Sequence, residues 1–248
     1  MLLGVTAELG IRYGVDGFPY LIGLSGAAVG FAAGGAAFAT QTSGPRRVAA
    51  RSAVALGGAA AIPAALGLHY VVRGKLELRD RMLDLIDWSG AEDVADLGAG
   101  AGLLGIGAAS RTTGRVCCVD LFVRTDLSGN RPERLLGNAR RAGVSDRISI
   151  LREDVRLLSL PDESVDVVLS TLCIHNIPDV AGRKQAISEA IRILKPGGTV
   201  VVSDLANVDD EYLPQLREAG LEVTALGRAR GTFPPQRILL GTLPSPQA

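Results

Sequence analysis

The length, charge and cysteine content of the chain exclude several classes of protein. Its 248 residues have room for one α/β domain of ordinary size and an appended segment. Lys plus Arg and Asp plus Glu number 26 each, so no net field attracts nucleic acid, and a nucleic-acid partner is not expected. Three cysteines are too few for a disulfide framework, and no metal-ligand spacing joins them to the two histidines.

Residues 1–73 are dominated by Ala, Gly, Val and Leu, and they predict a membrane-anchoring helical hairpin. No charged residue occurs from Gly17 to Pro45 or from Ser52 to Val72, and each stretch supplies the roughly 20 residues that cross a bilayer. We expect spans at about 18–40 and 52–72, a polar turn between them and a kink at Pro63. A soluble hairpin is the alternative, since Gly and Ala are weakly hydrophobic. A cleaved signal peptide is disfavoured because a second apolar run follows the first.

The basic residues that flank the hairpin predict its orientation. The side that holds both chain ends carries five of them: Arg12, Arg73, Lys75, Arg79 and Arg81. The turn carries three: Arg46, Arg47 and Arg51. The positive-inside rule then predicts a two-pass protein of the cell membrane with its C-terminal domain in the cytoplasm.

A stripe of small residues marks one face of the first predicted helix. Gly26, Gly30 and Gly34 fall four residues apart, a spacing that suits close contact between helices. A homodimer through this stripe is therefore a hypothesis. The alternative is chance, because an apolar sequence rich in glycine produces such spacings often.

From residue 74 onward, short apolar runs alternate with amphipathic stretches. Residues 74–88 have the spacing of a helix that leads into a domain. Seven strand-like runs follow, at 93–97, 115–120, 148–152, 165–170, 199–204, 221–226 and 237–241. Helical stretches lie between them at 102–111, 131–143, 182–194 and 211–220. The alternation predicts an α/β domain over residues 74–248, a doubly wound and mostly parallel sheet that binds its ligand beyond the carboxyl ends of the strands.

A glycine-rich loop at the end of the first predicted strand indicates a nucleotide-type cofactor. Residues 96–102 read Asp-Leu-Gly-Ala-Gly-Ala-Gly and open directly into a helix, so a ligand can approach the backbone closely. Asp120 ends the next strand and can accept hydrogen bonds from ribose hydroxyls. Gly100, Gly102 and Gly105 also fit the dinucleotide fingerprint, so an NAD(P)-dependent oxidoreductase is an open alternative.

The ordered set of motifs resembles the class I, Rossmann-fold methyltransferase family over residues 75–248. The matching pieces are the glycine-rich loop 96–102, Asp120, Asp154-Val155, the strand 165–170 and the Leu-Lys-Pro-Gly-Gly run at 194–198. The resemblance implies a seven-stranded sheet with a reversed final hairpin and S-adenosylmethionine as cofactor. It is closest to the small-molecule branch, whose members often carry a pattern like Ser170–His175 after strand four.

The resemblance also implies roles for individual residues. The candidate cofactor contacts are Asp96, Gly98, Ala99, Gly100, Gly102, Asp120, Leu121, Asp154, Val155 and Ser170, with Glu153 as an alternative to Asp154. His175 is the candidate catalytic residue, and a scaffold role is its alternative. The implied reaction is methyl transfer by in-line displacement to a small, lipophilic or lipid-like acceptor. A non-catalytic membrane protein that retains a cofactor-binding fold is a further alternative.

The stretch after Asp120 allows two interpretations. Residues 126–130 are rich in turn-forming residues and form either a wall of the cofactor cavity or merely a longer loop. Four basic residues in and before the following helix are expected on a solvated face: Arg131, Arg134, Arg140 and Arg141.

Overall fold

A long helical hairpin precedes the sheet. The computed structural model describes residues 10–15, 18–205 and 208–245. A 3₁₀ turn, Gly10–Tyr13, comes before the helices α1 (Phe18–Gln41) and α2 (Pro45–His69). A π-helical turn, Tyr70–Gly74, joins α2 to α3 (Lys75–Leu83). The helical path is therefore continuous from the second apolar helix into the domain that follows.

Strands and helices alternate in the remainder of the chain. The strands are β1 (Val94–Leu97), β2 (Val116–Val119), β3 (Ile148–Leu151), β4 (Val165–Thr171), β5 (Leu194–Asp204), β6 (Glu222–Arg228) and β7 (Arg237–Thr242). The helices are α4 (Leu103–Ala109), α5 (Pro132–Ala142), α6 (Val180–Arg192) and α7 (Leu213–Glu218). A 3₁₀ turn follows β4 at Ile174–Asn176, and a π-helical turn precedes α7 at Val208–Tyr212.

The strands form one sheet in the order β3-β2-β1-β4-β5-β7-β6. Strands β1 to β5 are parallel, and β7 runs antiparallel to both of its neighbours. The predicted seven-stranded sheet with a reversed final hairpin is thus confirmed. The strand order reverses between β1 and β4, which creates a crevice at their carboxyl ends where ligands bind in open α/β sheets.

The central strands are buried on both faces, as parallel strands between two helical layers must be. Along β1, Val94 packs into one hydrophobic cluster while Ala95 and Leu97 pack into the other. The first cluster includes Leu83, and the second includes Ile187. The two-residue period of the strand therefore assigns the α3–α5 layer to one face and the α6–α7 layer to the other.

Two predicted elements have different bounds in the structure. The fifth strand begins at Leu194 rather than 199, because Leu194 pairs with Val165 across a shift of register. The Leu-Lys-Pro-Gly-Gly run thus belongs to the strand instead of leading into it. The helix predicted at 211–220 is divided into a π-helical turn and α7, and Pro214 lies in the first turn of α7, where its missing N–H is tolerated.

The connection within the hairpin is shorter than the polar turn we predicted. The second helix begins at Pro45 rather than 52, since proline suits the first position of a helix. Gly44 before it has a φ of 59°, which glycine adopts readily. The helix continues through Pro63 without a break.

Two glycines bring the hairpin helices into close contact. A Cβ at Gly35 would lie 2.8 Å from the carbonyl oxygen of Ala50, and a Cβ at Gly57 would lie 2.5 Å from the nitrogen of Ala32. By contrast, a Cβ at any residue of the predicted stripe, Gly26, Gly30 and Gly34, would meet no atom of the described chain within 4 Å. The stripe therefore faces away from α2.

The segment before α1 is bound to the α/β domain by side chains of the loop and helix after β2. The Val15 amide donates to Ser128 Oγ at 2.9 Å. Arg134 donates from Nη2 to the Ile11 carbonyl at 3.0 Å and from Nε to the Arg12 carbonyl at 3.1 Å. Asn138 Nδ2 also donates to the Arg12 carbonyl, at 3.1 Å. Arg134 therefore does not lie on a solvated face as predicted, because its guanidinium holds the backbone of this segment.

The segment after α2 packs on the same domain, against the residues just before β7. Gln236 Nε2, at the start of β7, donates to the Tyr70 hydroxyl at 2.9 Å. Gly74 lies so close to the Gly231 carbonyl that a Cβ there would overlap it. Residues 10–15 and 70–73, assigned to the hairpin by the sequence, thus pack with the α/β domain. We call these two segments, together with Lys75, the hairpin roots.

Candidate functional site

A cavity of about 350 Å³ lies at the carboxyl ends of β1 to β4. Its size is within the range of small-molecule sites. The strand-tip wall consists of Gly98, Ala99, Gly100, Ala101, Asp120, Leu121, Glu153, Asp154, Val155 and Arg156. The hairpin roots contribute Tyr13, Tyr70 and Lys75, and the segment after β4 contributes Thr171, Leu172, Cys173, Asn176, Ile177 and Pro178.

The glycine-rich loop needs its glycines for conformation and for space. Gly98, Gly100 and Gly102 have φ angles of 78°, 53° and 86°, in the left-handed region that favours glycine. A Cβ at Gly98 would overlap the side chain of Cys173. Gly102 is the N-cap of α4 and, unlike the other two, is not among the described residues that line the cavity. The loop therefore lines the cavity with residues that have no side chain or only a methyl group.

Asp96 and Ser170 lie behind the loop rather than in the described lining of the cavity. The Gly105 amide donates to Asp96 Oδ2 at 2.7 Å, which ties α4 to β1. Burial raises the pKa of Asp96 to about 7, with a smaller increase from the Asp120 charge and an opposing effect of the Gly105 hydrogen bond. Ser170 Oγ donates to the Leu97 carbonyl at 2.9 Å. Asp96 therefore holds α4 against β1, and Ser170 holds β4 against the end of β1. Their placement does not support direct contact with the cofactor.

Asp120 joins the tip of β2 to the glycine-rich loop. Its Oδ2 accepts from the Gly100 amide at 2.7 Å, and its Oδ1 accepts from the Phe122 amide at 2.5 Å. The carboxylate therefore lies in the cavity wall with its orientation set by backbone donors. Each carboxylate oxygen can accept more than one hydrogen bond, so Asp120 retains capacity for a ligand hydroxyl.

Asn130 is a candidate ligand contact that the sequence did not identify individually. Its Nδ2 donates to Asp120 Oδ1 at 3.3 Å and to the Val123 carbonyl at 3.2 Å, and these two acceptors determine the amide orientation. Its Oδ1 is buried without a hydrogen-bond partner among the described residues. A buried acceptor without a donor is costly, so this oxygen indicates a donor on the ligand. Of the two interpretations of residues 126–130, the structure supports a cavity wall.

The tip of β3 supplies a second carboxylate. Arg156 Nη2 lies 2.6 Å from Asp154 Oδ2, and the hydrogen bond from Arg156 lowers the pKa of Asp154. Glu153, the alternative to Asp154, also lines the cavity, but its carboxylate accepts from Ser159 Oγ at 2.6 Å and from the Ser159 amide. Val155 lies next to them in the lining and adds apolar surface.

His175 belongs to the turn after β4, beside the cavity. Its Nδ1 lies 2.6 Å from Asp204 Oδ1, and its amide donates to Asp204 Oδ2 at 3.2 Å. A carboxylate on Nδ1 favours the tautomer in which Nε2 is free to accept a proton. Among the described residues the cavity lining includes Asn176 but not His175. The sequence analysis did not identify Asp204. The only sequence signal for its role is that it is an acidic residue at the end of β5, the parallel strand next to β4.

Cys173 lines the cavity as a packing residue. Burial raises the pKa of its thiol well above the usual range, with smaller contributions from nearby carboxylates. A thiol that stays protonated is a poor nucleophile. Its side chain occupies the space beside Gly98, where a Cβ on residue 98 would overlap it.

The hairpin roots line the cavity with two aromatic side chains and one cationic side chain. Lys75 is only 2% exposed, and its Nζ donates to the Gly14 carbonyl at 2.8 Å. The same ammonium lies 5.5 Å from the centroid of the Tyr70 ring. Tyr13 and Tyr70 are also buried. No motif marks these residues in the sequence, because they come from segments on either side of the hairpin.

The charges in the described lining are predominantly negative. Four side chains are acidic, Asp120, Asp126, Glu153 and Asp154, and two are cationic, Lys75 and Arg156. Because opposite charges attract strongly in a partly enclosed cavity, this lining suits a ligand that carries a net positive charge.

Comparisons with known proteins agree with this geometry. Residues 95–202 match the model of a family described as a methyltransferase domain. This stretch extends from β1 into β5 and contains the tips of β1 to β4.

Individual relatives match parts of the chain. It is 29% identical over 170 residues to a 27-O-demethylrifamycin SV methyltransferase of Amycolatopsis mediterranei, covering 58% of this chain and 59% of that protein. It is 31% identical over 121 residues to a demethylmenaquinone methyltransferase of Tropheryma whipplei, covering 47% of this chain and 43% of that protein. The chain thus spans less than two thirds of the length of either relative.

A solved structure shares the fold. It is that of a SAM-dependent methyltransferase from Aquifex aeolicus, with a TM-score of 0.55 and 16% identity, covering 69% of this chain and 93% of that one.

Proposed function

We propose that the α/β domain, whose residues 95–202 match the methyltransferase-domain model, is a class I, Rossmann-fold methyltransferase domain, and that it transfers a methyl group from S-adenosylmethionine to a small, lipophilic acceptor at a membrane surface. The observation that carries the proposal is that two different parts of the chain form the cavity wall. One side consists of strand tips that suit the cofactor, and the other consists of the roots of an apolar hairpin.

The residues of the cavity fit this cofactor. When bound, S-adenosylmethionine supplies an electrophilic methyl group on a positively charged sulfur. Its sulfonium and ammonium groups outnumber its single carboxylate, which matches the excess of acids in the lining. We propose that Asp120 and Asn130 Oδ1 accept from the ribose hydroxyls. We further propose that Asp154 accepts from the adenine amino group, with Leu121 and Val155 against the ring.

The backbone of the glycine-rich loop would lie along the cofactor. Gly98, Ala99 and Gly100 line the cavity, and a Cβ at Gly98 or Gly100 would contact Cys173 or Leu127. The loop can therefore present its backbone only while those positions remain glycine. Gly102, Asp96 and Ser170 support this loop and its strand from behind.

The hairpin has the surface of a membrane anchor. Two helical segments of the described chain, Ile22–Gln41 and Pro45–Leu83, are long and apolar enough to span a bilayer. The most apolar 18-residue stretch of each has a mean hydropathy of 1.5. Only 6% of the residues in that stretch are buried in the first segment, and 22% in the second. Large apolar side chains are exposed along both helices: Val29, Phe31, Phe38, Val48, Leu56, Ile62, Leu66 and Leu68. An apolar surface of this extent is unfavourable in water, so we propose that it lies in lipid, with the α/β domain on the cytoplasmic side of the cell membrane.

This anchor places the cavity close to the bilayer. The second apolar helix ends at His69, and the next residue, Tyr70, lines the cavity. A lipophilic acceptor would therefore travel only a short distance from lipid to the methyl group. The similarity to a demethylmenaquinone methyltransferase supports an acceptor of the quinone class.

We propose that His175 removes a proton from an acceptor hydroxyl. Asp204 is 1% exposed and accepts from both the His175 amide and its ring, which holds the imidazole in one orientation. A positioned base of this kind accelerates a proton transfer by about 10²- to 10⁴-fold. Asn176, in the same turn and in the cavity lining, would orient the acceptor.

The proposed function is tested with the full chain purified in detergent. We expect S-adenosylhomocysteine to raise its melting temperature and NADH to leave it unchanged, and stabilisation by NADH alone would favour an oxidoreductase. Incubation with membrane lipids and S-adenosylmethionine labelled in the methyl group should label a lipid-soluble product. Cofactor binding without any transfer to lipid or metabolite extracts would favour a non-catalytic protein.

A further inference from the structure

The described cavity lining contains two cations, Arg156 and Lys75, which come from different parts of the fold. Arg156 follows β3 at one edge of the sheet and is held by both oxygens of Asp154. Lys75 stands over the ring of Tyr70. The Tyr70 hydroxyl in turn accepts from Gln236, at the start of β7 on the other side of β1. Different elements therefore hold the two cations, the tip of β3 for Arg156 and the hairpin roots for Lys75.

A ligand that carries an amino-acid group would need one of these cations. A nucleoside held by Asp120 and Asp154 would lie at the tips of β2 and β3, as proposed above. Its amino-acid end would then extend past β1 toward β4 and the hairpin roots, which supply the rest of the lining. A carboxylate there would be repelled by the four acids of the lining unless a cation compensated for them.

We propose that Lys75 binds the carboxylate of the cofactor's amino-acid end, so that the membrane hairpin and the cofactor site share a wall. This inference rests on the proposed function. An ammonium carries three N–H donors, so it can hold the Gly14 carbonyl and a carboxylate together. Its burial strengthens such a contact, because little water competes for the charge.

In this arrangement the two ends of the hairpin contribute to cofactor binding. Gly14 precedes α1, and Lys75 follows α2. Both ends of the hairpin must be in place for the ammonium to keep its position. Ser128, Arg134 and Asn138 hold the first end, and Gln236 holds the second. Cofactor affinity then depends on residues that the glycine-rich motif does not include.

The test compares two ligands that differ only at the amino-acid end. S-adenosylhomocysteine carries the carboxylate, whereas 5′-methylthioadenosine keeps the nucleoside and lacks it. Titration calorimetry on the full chain in detergent should show that Lys75→Met lowers the affinity for S-adenosylhomocysteine by about 10- to 100-fold, as expected for a hydrogen bond between charged groups. The affinity for 5′-methylthioadenosine should change by less than about twofold, because that ligand does not reach Lys75.

Two further variants keep the result interpretable. Lys75→Gln retains a donor for the Gly14 carbonyl and replaces the Met variant if that one does not fold. Arg73→Met removes an exposed cation two residues before Lys75 that is not among the described residues lining the cavity, so it should leave both affinities unchanged. An equal loss for both ligands, or no loss for either, would overturn the role of Lys75. Failure of the wild-type chain to bind either ligand would instead contradict the proposed function.

Discussion

The two walls of the cavity differ in how they are built. In the strand-tip wall every side chain lies within a few residues of a strand end, and backbone amides orient the acids, as Gly100 and Phe122 do for Asp120. In the hairpin-root wall, Tyr13 and Tyr70 come from opposite ends of a long hairpin. Side chains of remote elements hold that wall together.

This difference shows which part of the site is general and which is particular to this chain. The strand-tip wall follows from the geometry of a parallel sheet, whose carboxyl ends meet at the same edge. The hairpin-root wall depends on contacts such as those of Arg134 and Gln236 with distant segments. Substitutions in the first wall should therefore affect cofactor binding directly, whereas those around the second should reveal the link to the hairpin.

The largest effect is expected in the strand-tip wall, at Gly98. Gly98→Ala places a Cβ against Cys173 at a φ of 78°. The loop must then leave the conformation in which it lines the cofactor cavity. We expect the affinity for S-adenosylhomocysteine to fall by more than about 100-fold, since strain of about 1–3 kcal/mol adds to the steric overlap. Gly143→Ala is the matched control, because Gly143 has a φ of 72° but no atom of the described chain within 4 Å of its Cβ position. Equal losses in the two variants would mean that strain alone, and not the overlap with Cys173, matters.

The next effect concerns the turn beside both walls. His175→Gln should lower kcat about 100-fold while the affinity for S-adenosylhomocysteine stays the same, because the imidazole acts on the acceptor and not on the cofactor. Asp204→Asn should lower kcat less and shift the pH profile, since the imidazole loses its orienting carboxylate. A rate that is insensitive to both substitutions would leave His175 with a scaffold role.

A smaller effect separates bracing from direct contact at Asp96. Asp96→Asn keeps an acceptor for the Gly105 amide and should change the affinity for S-adenosylhomocysteine by only a few-fold, since Asp96 is absent from the described cavity lining. A loss above about 100-fold would restore the predicted direct contact with the cofactor.

The same variant should alter how stability depends on pH. The folded-state pKa of Asp96 is about 7 and the unfolded one is about 4. Between these values the folded chain holds the extra proton, so stability falls as pH rises from about 4 to about 7. Thermal unfolding of the ligand-free protein should therefore show Asp96→Asn gaining stability relative to the wild type over that window, by about 1–4 kcal/mol. Parallel pH dependences of the two proteins would show that the wild-type carboxyl is already ionised throughout.

The smallest effects on cofactor binding are expected from the hairpin, far from either wall, where substitutions should instead alter stability or association. Gly57→Leu would push α1 away from α2 and should destabilise the hairpin by about 1–3 kcal/mol, as measured by unfolding in detergent. Gly30→Leu meets open space and should leave that stability unchanged. If the stripe of Gly26, Gly30 and Gly34 forms a dimer, Gly30→Leu should reduce chemical crosslinking between chains. Unchanged crosslinking would remove the stripe from any interface.

The sequence predicted most of the strand-tip wall because its signals are local. Glycines between a strand and a helix, and acids directly after strands, need no knowledge of distant residues. Gly98, Asp120 and Asp154 consequently lie in the cavity, as their motifs indicated. The mostly parallel sheet followed from the alternation of short apolar runs with helical stretches, whereas the reversed last strand was implied by the resemblance to the methyltransferase family.

Tertiary structure decided which way side chains point and what covers the cavity. The motif could not show that Asp96 turns toward Gly105, because that depends on how closely α4 packs on β1. Nor could it show that Lys75 enters the site, because the ammonium is positioned by Gly14, some sixty residues earlier in the chain. Local backbone chemistry is encoded in neighbouring residues, whereas a wall shared with a hairpin exists only once distant segments have packed together.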